Sequence, residues 1–486
     1  MTATETTVKT VPALVNGQWT EHSGAKHAVY NPATGREIAQ LPWATATDID
    51  QTVRAAHAAF RVWRETPVVD RVQPLYRFKA LLEKHADEIA ATLTSENGKT
   101  IEDSRVEVRR AIQMVEVACG MPSLMMGDSL NDVARGIDSR TVREPLGVCV
   151  GITPFNFPAM VPMWMIPFAI ATGNTFILKP SEKVPLTPTR CGELLVEAGI
   201  PEGVFQIVHG GKDTVNALLH HPLVKAVSFV GSTPIARYIY MTSAAQGKRV
   251  QALGGAKNHL VVMADADMPK TVEAIIGSAF GAAGERCLAG SVLVPVGEAA
   301  EPLLNFLAER TREIQVGDGA KEGMGMGPVV TAESRARILG YIEKGVGEGA
   351  KLLCDGRQRA QQGEGFFVGP TIFDHVKPEM AIAKDEIFGP VLSVIRAKTF
   401  DEAIELINSS EFGNTTSIFT QNGKIAREFQ SRVEVGMIGV NIGVAAPMAF
   451  FPFGGWKNSF FGDLHAHGKD AVYFYTEQKV LMTRWF

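Results

Sequence analysis

Apolar positions in the first quarter of the chain recur at the period of helices. Ile49, Val53, Ala56, Phe60 and Trp63 stand four or three residues apart and make one stripe, with Thr47 or Asp48 placed to cap its N-terminus. Leu75, Phe78, Leu82, Ile89 and Leu93 predict a second helix, and residues 101–118 a third, which carries Arg109 and Arg110. Arginine is seldom buried unpaired, so the residues alone place these two on the surface. Ahead of the helices, Val15-Asn16-Gly17-Gln18-Trp19 sets Asn-Gly between short apolar runs, the pattern of a tight hairpin.

From Leu146 the pattern changes. Short β-branched runs at 147–152, 175–178, 204–208 and 226–230 alternate with helical or turn-rich stretches, which predicts βαβ units and a parallel sheet. A second series follows residue 287: strand 291–296, helices 299–312 and 332–344, strand 391–395, helix 401–407 and strand 437–440. Two α/β lobes follow from this. Residues 136–144 and 471–483 alternate like strands outside both lobes; they need partners, which predicts a sheet shared between subunits.

Composition narrows the function. With 486 residues, 45% hydrophobic and 21% charged, the chain can bury a large core and divides into two or three domains. A net charge of −4 offers no basic footprint for nucleic acid or a membrane surface, so small molecules are the expected partners. The apolar run 155–178 is broken by Pro158, Pro162, Pro167 and Asn174 and reads as loop, buried helix and strand. Five scattered cysteines with no C-x-x-C pair, and a polar N-terminus without a secretory pattern, indicate a reducing, cytoplasmic setting. His220-His221 and His465/His467 lack a third ligand, so no metal is expected; Met160, Met163 and Met165 read as core packing. No Gly-x-Gly-x-x-Gly follows any predicted strand, and Gly323-Met324-Gly325-Met326-Gly327-Pro328 reads as a loop.

The chemistry centres on residues 280–287, where an apolar helical run breaks at glycine and delivers Cys287 beside Arg286. A cysteine after an apolar helix is ordinarily a buried structural thiol, and Cys119, Cys149, Cys191 and Cys354 keep that reading. Cys287 departs from it because of its company. Pro154-Phe155-Asn156-Phe157-Pro158, Lys179-Pro180-Ser181-Glu182, Gly231-Ser232-Thr233, Leu253-Gly254-Gly255, Gly284-Glu285-Arg286-Cys287 and Glu386-Ile387-Phe388-Gly389-Pro390 together resemble the NAD(P)-dependent aldehyde dehydrogenase superfamily, in order over nearly the whole chain. Ala256-Lys257-Asn258-His259, residues 122–128 and 463–468 resemble its CoA-acylating methylmalonate-semialdehyde dehydrogenases.

That resemblance implies an aldehyde-dehydrogenase-like α/β fold. A Rossmann-type NAD-binding domain would span 1–125 and 146–251, an α/β catalytic domain 252–445, and a β oligomerisation arm with the C-terminal segment 126–145 and 446–486, assembled as a homotetramer. It makes Cys287 the nucleophile that turns the aldehyde carbon tetrahedral and Asn156 a donor to the oxyanion. Lys179 and Glu182 would hold the adenosine ribose, and a carboxylate there favours NAD over NADP. Ser232 would face pyrophosphate, although Pro234 and Ala236 replace residues usual in the family; Glu386 and Phe388 would orient the nicotinamide end, with Thr153, Phe155, Lys183 and Gly254 completing the cofactor site. Arg110 and Arg286 would clamp a substrate carboxylate, which raises Arg110 above its surface reading.

Hydrolytic relatives place a glutamate before Leu-Gly-Gly, and here Ala252 stands there. The implied reaction is CoA-acylating oxidation of malonate or methylmalonate semialdehyde, with decarboxylation to acetyl-CoA or propionyl-CoA. The alternative is a hydrolytic enzyme releasing the free acid, for which Glu285 is a lesser candidate base. Lys257-Asn258-His259 read as loop polar residues without a role.

Overall fold

The computed structural model describes residues 8–361 and 363–486. Two large sheets organise it. The first has eight strands in the order Phe460–Phe461, Arg249–Leu253, Val224–Val230, Val148–Ile152, Thr175–Lys179, Phe205–Ile207, Ala13–Val15 and Gln18–Thr20. The five from Arg249–Leu253 to Phe205–Ile207 run parallel. Val148–Ile152 and Thr175–Lys179 are buried at every position, which is why they read as unbroken apolar runs: helices cover both faces. Helix Met160–Ala171 is buried nearly throughout, so its proline-broken apolar sequence is core.

The second sheet has seven strands, in the order Lys351–Cys354, Thr371–Asp374, Val391–Val394, Gly290–Pro295, Asn258–Val262, Thr415–Phe419 and Met437–Val440. Only Lys351–Cys354 pairs antiparallel. A separate three-stranded antiparallel sheet joins Ser129–Ala134, Ile137–Pro145 and Thr476–Arg484. The two outlying strands expected from the sequence therefore pair with each other within one chain. Their sheet leaves Leu130, Val480, Met482 and Trp485 exposed.

Local expectations hold with four corrections. The Asn16-Gly17 hairpin forms, with φ of 49° and 80° at its two turn residues. The first helix starts earlier than its stripe suggested: Thr45 caps Ala46–Trp63 in a reciprocal capping box with Asp48, so neither Thr47 nor Asp48 is the N-cap. The second helix is two, Gln73–Lys84 and Ala86–Asn97, because His85 leaves helical geometry at φ −103° and ψ 15°. The alternating tail begins as a helix, Gly468–Phe474, and only Thr476–Arg484 is strand. Asn258 and His259 lie in a buried strand, not a loop.

Candidate active site

The residues nominated for the cofactor gather at the carboxyl ends of four adjacent parallel strands. Thr153 follows Val148–Ile152, and its amide donates to the Lys179 carbonyl at 3.1 Å. Lys179 ends the next strand, and its Nζ, nearly buried, sits 3.1 Å from the more exposed carboxylate of Glu182. Burial raises the pKa of Glu182, but the charge of Lys179, hydrogen bonds from Glu182's own amide and from Lys179, and the charge of Lys183 together hold the group below the usual carboxylate range. Lys183 Nζ lies 4.8 Å from the Phe155 ring centre. Ser232 is the N-cap of helix Thr233–Ala244, and its side chain bonds none of that helix's amides. The Gly255 amide donates to Thr233 Oγ1 at 2.8 Å, tying the Gly254-Gly255 turn to the same helix start.

From the second lobe, Glu386 and Phe388 close on this edge. Glu386 Oε1 accepts from the Ala256 amide at 2.9 Å, and its burial raises the carboxyl's pKa. A Cβ at Gly255 would come within 2.3 Å of Glu386 Oε2, so only glycine lets the carboxylate approach. Phe388, at φ 51°, sets its ring edge-on to Phe155 with centroids 5.7 Å apart.

Cys287 and Arg110 meet in one cavity of about 310 Å³, walled also by Phe157, Trp164, Phe453 and His467. The turn before Cys287 is wound left-handed, with Ala282, Ala283 and Gly284 at φ of 49°, 52° and 70°. Asn156 Nδ2 donates to the Glu285 carbonyl at 3.0 Å, which puts the nominated amide against the turn that leads to Cys287. Burial pushes the Cys287 thiol up to about 12 and the Glu386 charge adds to it; the amides of Cys287 and Leu288 and the charge of Arg286 pull the other way.

The two arginines differ. Arg110 bonds Gln113 Oε1 at 3.2 Å and contacts Met448 Sδ, with no carboxylate partner among the described residues. Arg286 folds back over Gly281, donates to the Gly277 carbonyl at 3.2 Å and pairs with Asp103 at 2.7 Å. Glu285 is buried, with Oε2 accepting from the Val330 amide at 3.1 Å and Oε1 without a partner among the described residues. Its carboxyl is pushed up to about 8 by burial. Ala252 is fully buried in an apolar cluster with Ile152 and Phe229.

Several residues of the site were assigned no role from the sequence. Asn258, which begins a strand of the second sheet, and Asn414, just before another, each donate to the Cys287 carbonyl, at 2.9 and 2.8 Å, and fix the backbone at Cys287. Lys257 donates to the Asp385 carbonyl at 2.7 Å beside Glu386, and burial lowers its pKa to about 8. His467, which carried no role, lines the cavity with Nδ1 unpartnered among the described residues. Among the described residues no group of three or more His, Cys, Asp or Glu is placed to hold a metal, and no helix is long and apolar enough to cross a membrane.

Known proteins resemble the chain along its whole length. The model of the aldehyde dehydrogenase family matches residues 19–481. Malonate-semialdehyde dehydrogenase 1 of Geobacillus thermodenitrificans is 53% identical over 482 residues, covering 99% of this chain and 100% of that protein. The crystal structure of methylmalonate-semialdehyde dehydrogenase from Oceanimonas doudoroffii superposes with a TM-score of 0.97 at 49% identity, over 98% of this chain and 99% of that one. An NAD+ complex of an aldehyde dehydrogenase from Bacillus cereus superposes with a TM-score of 0.94 at 30% identity, over 98% and 97% of the two chains. A thiol in a cavity between two α/β lobes, at the carboxyl edge of a parallel sheet, and these matches agree: the chain belongs to the aldehyde dehydrogenase family.

Proposed function

We propose that this enzyme oxidises a malonate-type semialdehyde with NAD and transfers the acyl group to coenzyme A. The observation that carries the reading is Cys287 sharing its cavity with Arg110, an arginine without a carboxylate partner among the described residues. Relatives that carry the malonate- and methylmalonate-semialdehyde dehydrogenase names support it.

The cofactor edge suits an unphosphorylated ribose, because ionised Glu182 accepts from hydroxyls and repels a 2′-phosphate. Lys179, Glu182, Ser232, Glu386 and Phe388 would hold NAD, with Thr153, Phe155, Lys183 and Gly254 around them. Bound NAD supplies the hydride acceptor. The first sheet would serve the cofactor and the second would carry the nucleophile.

The Cys287 thiolate adds to the aldehyde carbon, and the oxygen takes the negative charge as an oxyanion. Asn156 offers it the Nδ2 hydrogen that no described residue uses. Loss of hydride from that carbon re-forms the C=O bond and leaves a thioester on Cys287. Arg110 holds the far carboxylate, selecting an acidic aldehyde. Coenzyme A, as its thiolate, then attacks the thioester, releasing acyl-CoA and the Cys287 thiolate. Loss of carbon dioxide from the malonate-type acyl group, with a proton from water taken up at the carbon it leaves, gives acetyl-CoA, or propionyl-CoA from the methyl-substituted substrate. The exposed apolar face of the arm is the proposed contact through which chains assemble as a dimer of dimers.

Incubation of enzyme, semialdehyde and NAD with and without CoA tests the reading. Acyl-CoA should form in step with NADH, with only slow turnover when CoA is omitted. Full-rate release of free acid without CoA would establish the hydrolytic alternative.

A further inference from the structure

One elbow of the chain touches both segments that carry the reacting groups. It joins helices Ala86–Asn97 and Ile101–Cys119 and runs on into the second of them. Asn97 Nδ2 donates to the Phe155 carbonyl at 2.9 Å, and Lys99 Nζ to the Asn156 carbonyl at 2.5 Å. Glu107 Oε1 accepts from the amides of Ala159 and Met160, at 2.8 and 3.1 Å, while its Oε2 pairs with Lys99 at 2.7 Å. The loop that bears Asn156 is thus held at four backbone atoms. On the nucleophile's side, Asp103 accepts from the Ala282 amide at 3.2 Å and from Arg286 at 2.7 Å.

These contacts exceed what packing needs. Lys99 and Glu107 are each 2% exposed, and a buried ion pair is a costly way to fill a core. Both line the cavity with Cys287, as Asp103 does. Asp103 also grips the turn where two alanines adopt left-handed φ, a conformation that persists only when its surroundings enforce it. The elbow is itself tightly set: Gly98 sits at φ +93°, where a Cβ would come within 2.8 Å of Pro328.

We propose that the elbow is the positioning element of the catalytic pair, setting the placement of the Asn156 amide relative to the Cys287 thiol. Asn97, Lys99 and Glu107 are positioning residues for the first group, and Asp103 for the second. The proposal rests on the roles given above to Cys287 and Asn156. An oxyanion donor works only within a few tenths of an ångström of its target, and a displacement of about 1 Å costs on the order of a hundredfold in rate.

The test compares the NADH burst with the rate at which iodoacetamide alkylates Cys287. Lys99→Met/Glu107→Gln replaces the ion pair without stranding a charge, and Asn97→Ala removes one contact with no charge involved. The burst should fall at least tenfold in the first and at least threefold in the second, with alkylation and KM for NAD within twofold of the parent. Asp103→Asn should slow the burst and change the alkylation rate as well, with KM for NAD retained. A general structural role would move alkylation and NAD binding along with the burst in all three variants, and that result, or parental bursts throughout, overturns the proposal. Cys287→Ala separates the levels: if it still makes NADH, the nucleophile reading fails, whereas an inactive Cys287→Ala beside a fully active Lys99→Met/Glu107→Gln refutes the elbow alone.

Discussion

The resting thiol of Cys287 should be a poor nucleophile. Burial and the neighbouring Glu386 charge push it from 9.0 to about 12. At pH 7.5 the ionised fraction is then on the order of 1000-fold lower than it would be without those two causes. Cys287 is nonetheless reachable, being only partly buried and lining the cavity. Alkylation by iodoacetamide without cofactor should therefore climb about tenfold per pH unit from pH 6.5 to 9.5, with no plateau. Glu386→Gln removes the second cause and should raise the rate severalfold at pH 8. Adding NAD, whose nicotinamide is cationic, should raise it further at fixed pH. Mass spectrometry of the Cys287 peptide follows the modification separately from the other four cysteines, all of them buried. A plateau with a midpoint below pH 9 in the cofactor-free enzyme would refute this reasoning, since a poised thiolate would then exist before any cofactor arrives.

Arg110→Ala should raise KM for malonate semialdehyde about 10- to 100-fold, the loss of a charge-assisted contact worth about 1.5–3 kcal/mol, and change KM for propanal less than threefold. Equal effects on both substrates remove its carboxylate role. His259 is neutral in the fold because burial, and then the charge of Lys257, lower its pKa to about 4 from 6.5. The unfolded chain takes up this proton first, so the stabilising contribution is complete above pH 6.5 and is lost as pH falls towards 4. Between pH 7 and 5 the parent should lose about 2 kcal/mol more than His259→Leu in urea unfolding, and parallel pH profiles would contradict this.

Much of this architecture was legible because it follows from local rules. Unbroken β-branched runs such as Val148–Ile152 signal strands covered on both faces, and Asn16-Gly17 supplies the positive φ its hairpin needs. The misreadings came where a periodic pattern is satisfied by more than one geometry. Leu82 and Ile89 keep one apolar face across the break at His85, so the break leaves no gap in the stripe. Ala471 to Tyr475 alternates in residue type, yet buries Ala471, Val472 and Phe474 on a helix. The site was legible only as motifs. Asn156, Cys287 and Glu386 were given roles from recognisable strings, whereas Asn97, Lys99, Asp103 and Asn414, and Asn258 in a string that gave it no role, reach the site through contacts as distant in sequence as the 183 positions from Asp103 to Arg286. Hydrophobic period says nothing about such pairs. Arg286 shows the other limit: it lines the cavity with Cys287 and Arg110, and no sequence pattern announces that Asp103 is paired with it there.

The surroundings of Cys287 also bear on how the thioester proposed for it would be released. Water needs a base, and each carboxyl near the cavity is spoken for. Asp103 is paired with Arg286 and Glu107 with Lys99. Glu285, pushed up to about 8 by burial, is mostly protonated at neutral pH and is an acid there, not a base. Glu386 is turned to the Ala256 amide and is likewise raised. Position 252 offers a methyl group inside an apolar cluster. A free thiol ionises near 8.5, so at pH 7.5 about one coenzyme A in ten already carries its own thiolate and needs no base from the protein. The same burial that suppresses the resting Cys287 thiol thus starves water of activation, and the acceptor best able to clear the acyl enzyme is one that arrives already ionised.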